Sequence, residues 1–346
     1  MKKRSLLSRM PRWSLPVWIS ILAGLAVVCF FFAGSPPPTD AEYGFTWSIT
    51  YARTLGLDPD RGLETALRDL TPDRIRIPAY WREIEAERGT YDFSALDRQL
   101  DIAARFETPV ILAVGSRVPR WPECWEPGWA ARLADVNERH RVQLAYLKAL
   151  YERYKDHPAV AAWQVENESF FDYYAACPGL TRGIVLDEMR YVRGEEAKRD
   201  RPRPVYTTDS GEWSLWVGFA GETDGVGVSV YRSVATKYFG TLRHWYITPM
   251  LYWRKAQLLK PFIGEVYISE MQMEPWTLRE IQNTPLLDQF KTFDLAQMER
   301  SFRYATRLGL PAVDFWGVEW WLWMKETQGH PEFWEKGKAF FKERRP

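Results

Sequence analysis

Eight short apolar runs rich in β-branched and aromatic residues, separated by longer stretches with helical spacing, constrain this chain more than any other feature. Parallel strands joined by crossover helices produce that alternation. The runs are Tyr43–Trp47, Arg74–Ile77, Pro109–Val114, Val160–Val165, Pro204–Thr208, Gly225–Val230, Ile263–Ser269 and Ala312–Trp316. Eight is the number that closes a barrel. Apolar spacing predicts helices from Ser94 to about Phe106, over Ala130–Tyr154 and over Phe293–Leu308, and Ser94-Ala95-Leu96-Asp97 reads as a capping box. A doubly wound open sheet is the alternative, but no glycine-rich phosphate loop follows the first strand. The expected class is α/β: a (β/α)8 TIM barrel over residues 41–346, preceded by one N-terminal transmembrane helix.

That helix is expected because residues 1–13 carry Lys2, Lys3, Arg4, Arg9 and Arg12, and an uncharged run fills residues 14–34. A run of this length is about what crossing a bilayer takes, and basic residues ahead of it place the N-terminus in the cytoplasm. A cleaved signal peptide is the competing reading, since Ala33-Gly34-Ser35 suits cleavage, but its apolar region would be unusually long. Cys29 lacks the small preceding residue that lipid attachment wants. Residues 35–40 read as a Pro-rich spacer that holds an extracytoplasmic domain off the membrane. In an oxidising compartment Cys124 and Cys177, in the loops after strands three and four, are candidates for a disulfide that walls a cleft.

Charge narrows the partner. Lys and Arg total 46 against 45 Asp and Glu, so no electrostatic footprint for nucleic acid exists. Of the 346 residues, 18 are Trp, 17 Tyr and 18 Phe; flat apolar faces with polar rims suit sugar rings, although packing a large barrel also uses them. His140, His157, His244 and His330 are scattered without metal-ligand spacing, and neither a Cys-x-x-Cys nor a Gly-x-Ser-x-Gly motif occurs. No metal or cofactor is expected.

In a barrel, catalytic groups gather at the C-terminal strand ends. The fourth strand ends Ala-Ala-Trp-Gln-Val-Glu-Asn-Glu, residues 161–168, and the seventh ends Val-Tyr-Ile-Ser-Glu, residues 266–270. Strands four and seven face each other across the mouth, so Glu168 and Glu270 can converge on one bond, as two-carboxylate glycoside cleavage requires.

At these residues the sequence resembles clan A, the retaining (β/α)8 glycoside hydrolases that include cellulases, mannanases and several β-galactosidases. The resemblance runs from residue 43 to about 335. It implies Glu168 as acid/base and Glu270 as nucleophile of an O-glycosyl hydrolase that cleaves a β-glycosidic bond by double displacement. By the same resemblance, Arg76 and Tyr231 orient Glu270, Asn167 meets the sugar 2-hydroxyl, and Trp316 floors the subsite. Tyr80-Trp81 with the following Gly89–Phe93 looks like the β-galactosidase-type segment after strand two. Trp81, Trp121 and Trp320 are added as aromatic substrate contacts. The implied partner is an oligosaccharide, polysaccharide or glycoconjugate. Histidines usual in cellulase-type members near strands three and six are missing here, so that branch's substrate does not carry over.

Bland readings stand beside these. Glu274 competes as nucleophile but precedes a proline in expected loop. Glu166 reads as a barrel-interior or hydrogen-bonding residue, and Asp209 and Glu212 as turn-forming or helix-starting residues as readily as substrate contacts. Trp125, Trp321 and Trp323 are even candidates for packing or sugar platforms. A carbohydrate-binding barrel without turnover is the rival class, and a transglycosylase shares every residue named.

Overall fold

A computed structural model describes residues 15–171, 175, 177–238 and 240–343, with side chains from residue 17 onward. Eight parallel strands close into a barrel: β1 Glu42–Thr46, β2 Arg74–Pro78, β3 Val110–Val114, β4 Val160–Val165, β5 Val205–Asp209, β6 Gly225–Val230, β7 Glu265–Gln272 and β8 Ala312–Trp316. Each expected run forms a strand within about three residues, because strands covered on both faces read as near-continuous apolar runs. All of Val-Ile-Leu-Ala-Val in β3 is buried. Alternate residues point in and out, so Ile111, Ala162, Tyr267 and Ala312 meet inside the barrel. The Arg-Ile-Arg-Ile-Pro of β2 sends two arginines inward. Arg74 pairs with Asp314 of β8 at 3.0 Å, and Arg76, one layer nearer the mouth, is fully buried.

Several expectations are corrected. The fifth crossover carries turns only: among the described residues no helix lies between Asp209 and Gly225. The stretch expected as one helix over Ala130–Tyr154 is two, Gly128–Ala131 and Val136–Tyr154, divided where Asp135 turns out of helical conformation to cap the second by accepting from the Asn137 amide. The helix Ser94–Arg105 has no capping box. Ser94 already lies inside it, its amide donating to Asp92 Oδ1 at 2.9 Å, and Asp97 is taken by Arg153 and by the Tyr154 hydroxyl. The helix in Phe293–Leu308 is the shorter Leu295–Ala305, capped by Asp294.

The structure lends the transmembrane reading of residues 14–34 no support. Residues 1–14 lie outside the described part. Leu15–Phe32 is a helix of 18 residues. Among the described residues no helix is long and apolar enough to cross a membrane. The helix end lies by Pro249–Ile263, where Arg254 packs over the Phe30 ring at 4.4 Å and donates to the Phe30 carbonyl.

Candidate active site

Two local irregularities aim the carboxylates. β7 contains a bulge: Val228 of β6 pairs with Ile268, but the next residue, Ser229, pairs with Glu270. Ser269 is the extra residue. Strict alternation from inward Tyr267 would point Glu270 outward, and the inserted residue turns it in. Glu270 thus sits two residues inside β7 rather than at its end. At the end of β4 the chain leaves the strand through two left-handed residues, Glu166 at φ 58° and Glu168 at φ 45°. Such conformations are costly for non-glycine residues and concentrate at functional sites.

Inside the mouth Glu168 reaches a hydroxyl of the neighbouring strand β6. Ser229, the register partner of Glu270, donates to Glu168 Oε1 at 2.8 Å. Glu168 Oε2 has no hydrogen-bond partner among the described residues. Glu270 is clamped on both oxygens: Arg76 Nη2 donates to Oε1 at 2.9 Å and the Tyr231 hydroxyl to Oε2 at 2.8 Å. Arg76 is itself fixed by Thr46 Oγ1 at 2.9 Å and Gln164 Oε1 at 3.2 Å. Asn167 accepts from Thr208 Oγ1 at 2.8 Å through Oδ1, leaving its amide nitrogen without a protein partner among the described residues. Burial, then the nearby Glu270 charge, push the Glu168 carboxyl well above the usual carboxylate range. Burial and the same charge raise the Tyr231 phenol, keeping it a proton donor.

Tyr231 is held from three sides by groups that sequence reasoning left unassigned or read otherwise. Its amide donates to Glu212 Oε1 at 2.9 Å, which also accepts from Tyr252 at 2.8 Å; its carbonyl accepts from His244 Nδ1 at 2.7 Å; Trp276 meets its ring edge-on at 4.9 Å. Glu212 therefore starts no helix. Burial lifts its carboxyl to about 7. Asp209 ends β5 and accepts from the Ser210 amide and the Ser214 hydroxyl, a turn role. Nothing in the spacing of 212, 231 and 244 pairs them; only the fold does.

Other candidates land elsewhere. Trp316 sits at the mouth, with Arg120 over its ring at 4.0 Å and Arg76 at 5.8 Å. Trp121 is 73% exposed. Trp81 and Trp320 are not substrate contacts: both are fully buried, Trp81 stacked on Tyr146 with its indole on Glu85 and Trp320 bonded to Gln289 beneath Phe333. Trp320, Trp321 and Trp323 lie on the helix Val318–Glu326, not in a loop, and with Trp125 they are buried. Glu274 is in loop as expected, paired with Arg120, which also reaches Glu319 at 3.0 Å. Glu166 is not in the barrel interior. Its left-handed turn sends the carboxylate outward to the Ser116 and Arg117 amides at 2.8 and 2.6 Å and to Gln143 of the surrounding helix at 3.3 Å.

Cys124 and Cys177 are joined, with Cα atoms 5.1 Å apart, tying the β3 and β4 loops. Glu126, beside them, is held by Arg139, so these three side chains offer no free ligand set for a metal.

Residues 74–182 match the beta-galactosidase family of glycoside hydrolase family 42. The chain resembles clan A. Over 145 residues, 37% of this chain, it is 32% identical to beta-galactosidase Pbg of Clostridium perfringens, and over 104 residues 30% identical to beta-galactosidase BgaH of Haloferax lucentense. These matches span 19% and 16% of those relatives' own lengths. In fold it is similar to a GH5_18 enzyme of Streptomyces cattleya solved with GlcNAc, with a TM-score of 0.55, 15% identity and coverage of 81% of this chain and 71% of that one. Xylanase 10B of Thermotoga maritima gives 0.52 and 16%, covering 80% and 83%. Clan A resemblance was carried in the sequence by Asn167-Glu168 and Glu270, and the matched stretch includes the first of these.

Proposed function

We propose that this chain is a retaining glycoside hydrolase acting on a β-glycosidic bond, with Glu270 as nucleophile and Glu168 as acid/base. The observation that carries the reading is the unequal treatment of two adjoining carboxyls. Glu270 receives a guanidinium and a phenol, the partners of an ionised nucleophile. Glu168 receives one hydroxyl, no cation and the field of Glu270, the surroundings of an acid that starts protonated.

In the first step Glu270 attacks the anomeric carbon while the glycosidic C–O bond breaks and the leaving oxygen takes the Glu168 proton. In the second, Glu168 removes a proton from water, the water oxygen bonds to the anomeric carbon, and the Glu270 ester is released. A sugar hydroxyl in place of that water gives transglycosylation with the same residues. Asn167, through its unpartnered amide nitrogen, is the proposed contact to the 2-hydroxyl, and Trp316 the floor. A binding barrel without turnover has no use for a nucleophile clamp on one carboxylate beside a protonated second one. An extracytoplasmic location is proposed with it, supported by the Cys124–Cys177 bond and by the basic-then-apolar N-terminus. Proton NMR of the first-formed sugar from a panel of nitrophenyl β-glycosides tests the function: β-product is expected, and α-product or no turnover on any member contradicts it.

A further inference from the structure

The loop after β3 folds back on itself and carries a third carboxylate into the site. Arg117 and Cys124 bridge across it, and the Glu123 amide donates to the Arg120 carbonyl at 2.7 Å. Arg120 and Glu123 both adopt left-handed conformations, φ 85° and 64°, an expense that persists only where the surroundings over-determine it. The surroundings do so twice. Arg117 Nε and Nη2 hold Glu123 Oε2 at 3.1 and 3.0 Å while Nη2 also donates to the Phe171 carbonyl at 2.9 Å, and the disulfide ties the same loop to the β4 loop.

Glu123 stands on the turn whose Arg120 lies over the Trp316 ring at 4.0 Å and pairs with Glu274 at the mouth. The Glu123 charge acts on Glu168, while burial first and then the Glu270 charge raise its own carboxyl against the lowering effect of Arg117 and Arg76. Both bonds from Arg117 end on Oε2, so Oε1 has no protein partner among the described residues, and the side chain is 22% exposed. Trp121, two residues earlier on the same turn, is exposed. Charges at the mouth are matched: Arg76 with Glu270, Arg117 with Glu123, and Arg120 with Glu274 and Glu319. No arginine among these is left over for a substrate anion.

We infer that Glu123 is a specificity-determining residue of this site: Oε1 accepts hydrogen bonds from hydroxyls of a neutral sugar ring lodged between Glu168 and Trp121, and the Glu123 charge excludes rings that carry a carboxylate. The inference deepens the glycosidase reading and rests on it. A charged acceptor binds hydroxyl donors more strongly than a neutral one. A uronate in the same place would lose its water, meet no unclaimed cation among these arginines and face a like charge, the repulsive half of selectivity.

The test is equilibrium binding to the full chain, read by tryptophan fluorescence, of methyl β-glycosides of glucose, galactose and mannose against the corresponding methyl β-uronides. Wild type is expected to favour the neutral members by at least about tenfold, and Glu123→Gln to weaken them by about tenfold while losing most of that preference. Equal wild-type binding of neutral and uronate rings overturns the inference without any variant. So does a Glu123→Gln protein that weakens both classes alike, the signature of a purely structural carboxylate. Turnover of nitrophenyl β-glycosides is measured in parallel: its absence sinks the glycosidase reading, whereas the binding ratio alone decides Glu123.

Discussion

Glu166 and Glu168 stand two residues apart at the end of one strand, and each adjoins a second buried glutamate, yet the two pairs do opposite things. Glu168 and Glu270 lie inside the barrel mouth, with Arg76 on one member and an oxygen of the other left open. Glu166 and Glu188 lie outside the sheet, under the helices Val136–Tyr154 and Arg182–Glu196. There Glu166 is spent on two loop amides, and no cation adjoins the pair. Burial raises the Glu166 carboxyl, and burial followed by the Glu166 charge raises Glu188 well above the usual range. A buried carboxylate pair with a cation on one member divides into base and acid. Without a cation both carboxyls are pushed up together.

The comparison breaks first at Glu270. Glu270→Ala should lose at least ~10⁴ in kcat/KM on every substrate, since the covalent step has no substitute, whereas Glu188→Gln should leave kcat/KM within about twofold of wild type. Glu168→Ala should lose ~10²–10⁴ on substrates with poor leaving groups and far less on activated nitrophenyl substrates, where azide should yield the β-glycosyl azide. A smaller effect sharpens the electrostatics. Ser229 donates to Glu168 and favours its charged form, so Ser229→Ala should raise the Glu168 carboxyl further and shift the alkaline limb of the kcat/KM profile to higher pH. An acidward shift of that limb would contradict the assignment.

The smallest effect concerns stability. Glu188 titrates higher when folded than unfolded, so its contribution is complete below the unfolded value of 4.5 and is lost as pH rises through the folded value. Wild-type Tm should therefore fall as pH climbs above about 4.5 through the neutral range, and Glu188→Gln should flatten that part of the curve. An unchanged slope would contradict the raised Glu188 carboxyl.

Strand positions were legible because a strand buried on both faces needs a continuous apolar run, and nothing else in a chain this size produces eight of them. Asn167-Glu168 were legible as following the end of the fourth strand and Glu270 as belonging to the seventh, though it lies two residues inside it. Their aim was not: the Ser269 bulge and the left-handed Glu166 and Glu168 reverse the side-chain alternation on which a pattern reading relies, so of the two readings of Glu166, barrel-interior or hydrogen-bonding, only the second holds. Trp81 and Trp320 were overread because aromatic enrichment cannot separate a platform from a core ring; burial decides. Glu212 and His244 support Tyr231 through backbone bonds from distant loops, and Glu123 reaches the site only through a left-handed turn, so neither left a trace in local spacing. The length of the uncharged N-terminal run suggests a span, and the structure lends that reading no support.

The central claim is that Glu270, and not Glu274 four residues on, forms the covalent bond. Incubating the full chain with activated 2-deoxy-2-fluoro β-glycosides and sequencing the labelled peptide by mass spectrometry tests it directly. The account predicts one sugar per chain, esterified to Glu270, with Glu274 unmodified and still paired to Arg120. A label on Glu274, or turnover with inverted product and no label at all, would contradict it.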